Sequence, residues 1–78
     1  MTTRRIAKAL EQLGFKDNGN NEYSDGGKIV YIIFNRTLVL VRREQGGDFT
    51  MLMMIAARNV LDIVFDGRHV VVLHRRSL

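Results

Sequence analysis

The stretch from Lys28 to Arg43, KIVYIIFNRTLVLVRR, limits the possible folds more than any other part of the chain. Two runs rich in β-branched and aromatic residues, Ile29 to Phe34 and Leu38 to Val41, have strand length and meet at Asn35-Arg36. Asn tolerates the positive φ of a type I′ turn, so a two-residue turn there sets Phe34 opposite Thr37, Ile32 opposite Val39 and Val30 opposite Val41. Arg36 suits such a turn less well, which leaves a register one residue away open. Side chains alternate across a strand, so one face of this hairpin carries Val30, Ile32, Phe34, Val39 and Val41. The other carries Ile29, Tyr31, Ile33, Leu38 and Leu40. Both faces are apolar, whereas a hairpin wetted on one side alternates apolar with polar residues. Each face therefore needs a cover: a helix on one, and on the other a second layer, a partner protein or another copy of the chain.

With 78 residues the chain makes one domain, residues 1–78, built on a single continuous core. It contains no cysteine, so disulfides, thiolate nucleophiles and zinc-thiolate sites are excluded. No apolar run approaches the length of a membrane span, and Met1 to Arg5 does not resemble a signal peptide; the expectation is a cytoplasmic protein with no membrane partner. The formal net charge is +4, and Lys8, Lys16 and Lys28 are the only lysines, the other basic residues being arginine. The planar guanidinium matches phosphate and carboxylate geometry and stacks on bases. A genome with high GC content enriches arginine equally well without any such role.

Around the central hairpin, Thr3 to Leu13 reads as a helix capped by Thr2 or Thr3 and stopped at Gly14. Ile6, Leu10 and Leu13 fall on one face, and Phe15 folds back onto them. Arg4, Arg5 and Lys8 crowd its first turns, the end where the helix dipole favours acids. A polar loop follows, with Glu22 to Ser24 as a short edge strand turned back by Asp25-Gly26-Gly27. After the break at Gly46-Gly47, Met51 to Val60 is rich in helix formers and reads as a second helix; a strand from Phe49 to Met54 paired with Leu38 to Arg43 is the rival. Asp66-Gly67 between Leu61 to Phe65 and Arg68 to Arg75 is a strong hairpin signal, placing Phe65 opposite Arg68 and Ile63 opposite Val70. The resulting fold class is α+β, a small antiparallel sheet of four to five strands in the order α-β-β-β-α-β-β.

The opening RRIAKALEQLGF, the polar loop GNNEY and the following SDGGKIVYI resemble the start of the HicA toxin family, small ribonucleases with a fold like the double-stranded-RNA-binding domain. In that family a Gly-Ser-His signature in the loop supplies the catalytic histidine. The matching positions here are Gly19, Asn20 and Asn21, and the first histidine of the chain is His69, so the family's activity does not carry over. His69 and His74 have opposite parity on one strand, which argues against a shared metal or a two-histidine acid/base pair. Neither glycine pair begins a phosphate-binding motif. No cofactor, metal or catalytic residue is expected, and an enzyme is the least favoured class.

Two readings remain. The first is a small, non-enzymatic basic module that docks on nucleic acid or a nucleoprotein complex through Arg4, Arg5, Lys8, Lys28, Arg43 and Arg75. The second is a protein-binding inhibitor of the kind mobile genetic elements encode, anti-CRISPR-like in manner, using the apolar sheet face with an arginine rim and with a homodimer as a possibility. A degenerate relative of the HicA toxins comes third.

Overall fold

Helix α1 (Thr3–Gln12) starts where the Thr2 hydroxyl accepts a hydrogen bond from the Arg5 amide at 3.2 Å. It ends in a Schellman turn: Gly14 takes φ +93° and donates to the Glu11 carbonyl, while Phe15 donates to the Leu10 carbonyl at 3.0 Å. These are features of a computed structural model that describes residues 1–76. The last two residues of the basic tail, Ser77 and Leu78, lie outside the described residues.

The Schellman turn aims Phe15 back at the sheet, where its ring meets Tyr31 edge-on, with centroids 5.1 Å apart. From there the chain runs as a meander through β1 (Lys16–Asp17), β2 (Glu22–Ser24), β3 (Ile29–Phe34), β4 (Thr37–Arg43) and β5 (Phe49–Ala56). Each strand pairs antiparallel with the next. The central hairpin has the register expected, Phe34 opposite Thr37 through Val30 opposite Val41. Asn35 (φ 49°) and Arg36 (φ 57°) are both left-handed, as a type I′ turn requires. The segment Glu22 to Ser24 is not the sheet edge, because β1 pairs outside it.

The second helix expected over Met51 to Val60 is absent. Those residues form β5 and then a single 3₁₀ turn, Ala57–Asn59. The order of elements along the chain is therefore α-β-β-β-β-β-β-β. Helix propensities in this run amount to a few tenths of a kcal/mol per residue. As a strand, the same run satisfies the open side of β4 from Thr37 to Arg43 and buries Ile55. Non-local pairing outweighs local preference here.

A separate two-stranded sheet, β6 (Val60–Phe65) with β7 (Val70–His74), follows the 3₁₀ turn. Its register differs from the expectation by two residues, with Phe65 opposite Val70 and Ile63 opposite Val72. The cause is Asp66, whose carboxylate accepts from the amides of Arg68 (2.8 Å) and His69 (2.7 Å) and closes a loop over Asp66 to His69 in place of a tight two-residue turn. A shift of two leaves every side chain on its expected face. A bulge at Leu61 then inverts the start of β6, so that Val60 is buried and Leu61 exposed.

The five-stranded sheet lies between two unequal environments. Its inner face joins Ile6 and Leu10 of α1 with Phe15, Tyr23, Tyr31, Leu38 and Ile55, and with Val60 and Ile63 of β6, in one core. The Met1 ammonium donates to the carbonyls of Ala57 and Val60, which fixes the start of α1 beside the 3₁₀ turn. On the outer face Val30, Val39 and Val41, with Ile32 against them, form a second cluster drawn only from β3 and β4.

Candidate functional site

The outer face grows directly from the alternation of the strands. The register Val39 to Met54, Val41 to Met51 and Arg43 to Phe49 carries the face of Val30, Ile32 and Phe34 across β4 onto β5. Three valines at its centre, Val30 on β3 and Val39 and Val41 on β4, are buried. The larger residues around them are open to solvent: Phe34 is 70% exposed, Met51 and Met54 60% and Phe49 52%. Neither α1 nor the β6–β7 hairpin contributes to this cluster. An apolar area with a close-packed centre and mobile, polarizable methionine around it is suited to holding another apolar surface.

Basic residues stand at one end of that face. At the open end of the central hairpin, Lys28 and Arg43 border a shallow hollow with Glu44 and Gln45; Arg43 also shares a neighbouring hollow with Lys16. The Arg43 amide donates to the Lys28 carbonyl at 2.8 Å, so the two side chains emerge together on the outer face. Glu44 borders the same hollow and feels the Lys28 charge, yet its direct partner lies elsewhere. It pairs with Arg42 at 2.7 Å, and the hydrogen bond from Arg42, then that from Thr50, holds its carboxyl below the usual carboxylate range. Arg42, opposite Ile29 and Thr50 in the two ladders, faces the inner side.

The six basic residues singled out in the sequence do not converge on one surface. Arg5 and Lys8 line a groove between α1 and β6 that also contains Asp62, and Arg4 is exposed on the same helix turn. The start of α1 lies by Arg36, at the turn end of the central hairpin, which the six residues of β3 place roughly 20 Å from Lys28 and Arg43. Arg75 borders a hollow at the far end of β5 together with Arg58 and His74. Arg36 and Arg58 are the members of this basic end that the sequence reading missed. Arg36 had been absorbed into turn chemistry and Arg58 into the expected second helix.

The parity argument for the histidines does not apply, because His69 sits in the loop before β7 and only His74 is on the strand. The His74 ring lies 3.2 Å from the Arg75 carbonyl. Among the described residues no group of three potential metal ligands occurs. Burial raises the Tyr23 and Tyr31 hydroxyls above the usual tyrosine range, with Asp17 adding to the effect on Tyr23 and Asp25 on Tyr31. Gly19, Asn20 and Asn21 form an exposed loop in which Asp17 accepts from the Gly19 amide at 2.8 Å. No helix among the described residues is long and apolar enough to cross a membrane. No protein-family model, curated protein or solved structure matches the chain.

Proposed function

We propose that this chain is a small, non-enzymatic docking module that holds a protein target on the outer face of its sheet, as an inhibitor or adaptor acting in the cytoplasm. The observation behind this reading is the pairing of a buried valine centre with Phe34, Phe49, Met51 and Met54 left exposed around it. Lys28 and Arg43 at the open end of the hairpin form a charged border that orients the target and raises its rate of encounter. Binding energy in such interfaces concentrates in a few large apolar anchors, and Phe34 and Met54 are the natural ones.

A second reading, docking on nucleic acid, is favoured specifically by Lys16, Lys28 and Arg43, which gather at the open end of the hairpin beside no acid other than Asp25 and the already paired Glu44. One experiment separates the two. The purified chain is titrated with mixed-sequence DNA and RNA across a salt series, and in parallel used to capture protein from host lysate, as wild type, Phe34→Asp with Met54→Asp, and Lys28→Ala with Arg43→Ala. The docking reading expects a captured protein that the first double variant loses by about 30-fold or more and that added salt barely weakens. About three phosphate contacts would instead give a log-log salt slope near −3, reduced to near −1 in the second double variant.

A further inference from the structure

The two edges of the five-stranded sheet are built differently. At one end β1 is two residues long and consists of Lys16 and Asp17, a short charged strand of the kind that blocks further pairing. At the other end β5 runs for eight residues, FTMLMMIA, without a charge or a proline. Ladder bonds alternate, which identifies the amides left open. The bond from Arg43 to the Lys28 carbonyl turns Thr37, Val39, Val41 and Arg43 toward β3, and that from Ala57 to the Arg36 carbonyl continues the β4–β5 ladder. A bulge that leaves Leu52 as the extra residue opposite β4 shifts the alternation by one, so Thr50, Met53 and Ile55 turn their backbone groups to β4, while Phe49, Met51, Met54 and Ala56 turn theirs outward.

We infer that β5 pairs antiparallel with β5 of a second copy, around a two-fold axis perpendicular to the sheet near Leu52 and Met53. Two features favour a second copy over a foreign strand. No charge lies between Asp48 and Arg58, so the paired strands themselves set no like charges against each other, and Arg58, His74 and Arg75 border only the Met53–Ala56 half, which antiparallel pairing sets against the Phe49 half of the other copy. Asp48 and Arg58 flank the strand at opposite ends, so antiparallel pairing brings Asp48 of each copy toward Arg58 of the other. Edge pairing covers only the flanks of Phe49, Met51, Leu52, Met53 and Met54, each 42–60% exposed, so the contact is smaller than the ~800 Å² per partner of a standard stable interface. The dimer is therefore weak and concentration-dependent. Because the axis is perpendicular to the sheet, the two outer faces lie side by side on a ten-stranded sheet. The pairing thus extends the proposed docking surface without depending on it.

Sedimentation of the full chain tests the pairing. The expected result is monomer at about 10 μM passing to dimer by about 1 mM. Leu52→Lys and Leu52→Glu each place like charges across the axis; both remain monomeric over that range with unchanged circular dichroism, and an equimolar mixture of the two recovers the dimer. Phe34→Asp, two strands from the edge, leaves the dimer intact even where it abolishes target capture, which separates the two proposals. A wild type that stays monomeric to 1 mM overturns the pairing. So does a dimer that survives Leu52→Lys, or a mixture that fails to reassociate.

Discussion

Arg36 holds a left-handed conformation, φ 57°, that costs a non-glycine residue about 1 kcal/mol, yet the sharp I′ reversal imposes it. Arg36→Gly should accordingly raise stability by about 0.5–1 kcal/mol in urea unfolding, despite the added freedom of glycine in the unfolded chain. Asp66 acts in the opposite direction with pH. Backbone amides of His69 and Arg68 hold its folded carboxyl below the ordinary aspartate range, so between the two values the unfolded chain binds more protons than the folded one. Its contribution is present above about pH 4 and is lost as pH falls through the folded value. Thermal melts between pH 6 and pH 3 should show a smaller loss in Asp66→Ala than in wild type. The single-residue signals in the sequence were of mixed value for the same reason. Asn35 marked its turn correctly because the one side-chain bond there, from the Thr37 hydroxyl to the Asn35 carbonyl, leaves the turn amides free, whereas Asp66-Gly67 looked like a two-residue turn until the Asp66 carboxylate captured two amides.

At the level of the element, the instructive case is Met51 to Val60. Leucine, methionine and alanine in that run favour a helix when considered alone, and nothing within the run shows that β4 lacks a partner. The information lies in Leu38 to Arg43, whose second edge must be satisfied, and in the Gly46-Gly47 turn, where both residues take positive φ and return the chain alongside. Two measurements follow. Amide exchange at low protein concentration should alternate along β5, with Met53 and Ile55 protected and Met54 and Ala56 fast. Ile55→Ala, at a buried position of the main core, should cost about 2–4 kcal/mol, whereas Met54→Ala on the outer face should cost less than 1. Helix α1 was legible almost to the residue, because Thr2, the spacing of Ile6 and Leu10, and Gly14 all specify the same element.

For the whole molecule, the sequence showed that both faces of the central hairpin needed cover but not which would receive it. The covered side depends on the direction α1 takes after the Gly14 turn and on where the β6–β7 hairpin lands, both of which are long-range outcomes. The same holds for the basic residues. Their identities were plain, but α1 begins at the turn end of the hairpin, so Arg4, Arg5 and Lys8 lie away from Lys28 and Arg43. A charge map drawn along the chain therefore merged two ends of the molecule that the fold separates.

The meander order also shapes how the chain reaches its native state. Every ladder in the five-stranded sheet joins sequence neighbours, so each closes only a short loop, while the contacts of α1 with β6 span most of the chain. Folding should begin at the Asn35-Arg36 reversal and zip outward, with helix docking as a late step, at rates typical of topologies dominated by short-range contacts. In stopped-flow experiments Val39→Ala should mainly slow refolding, and Ile63→Ala should mainly speed unfolding. Equal partition of both between the two rates would mean that the hairpin and the helix form together.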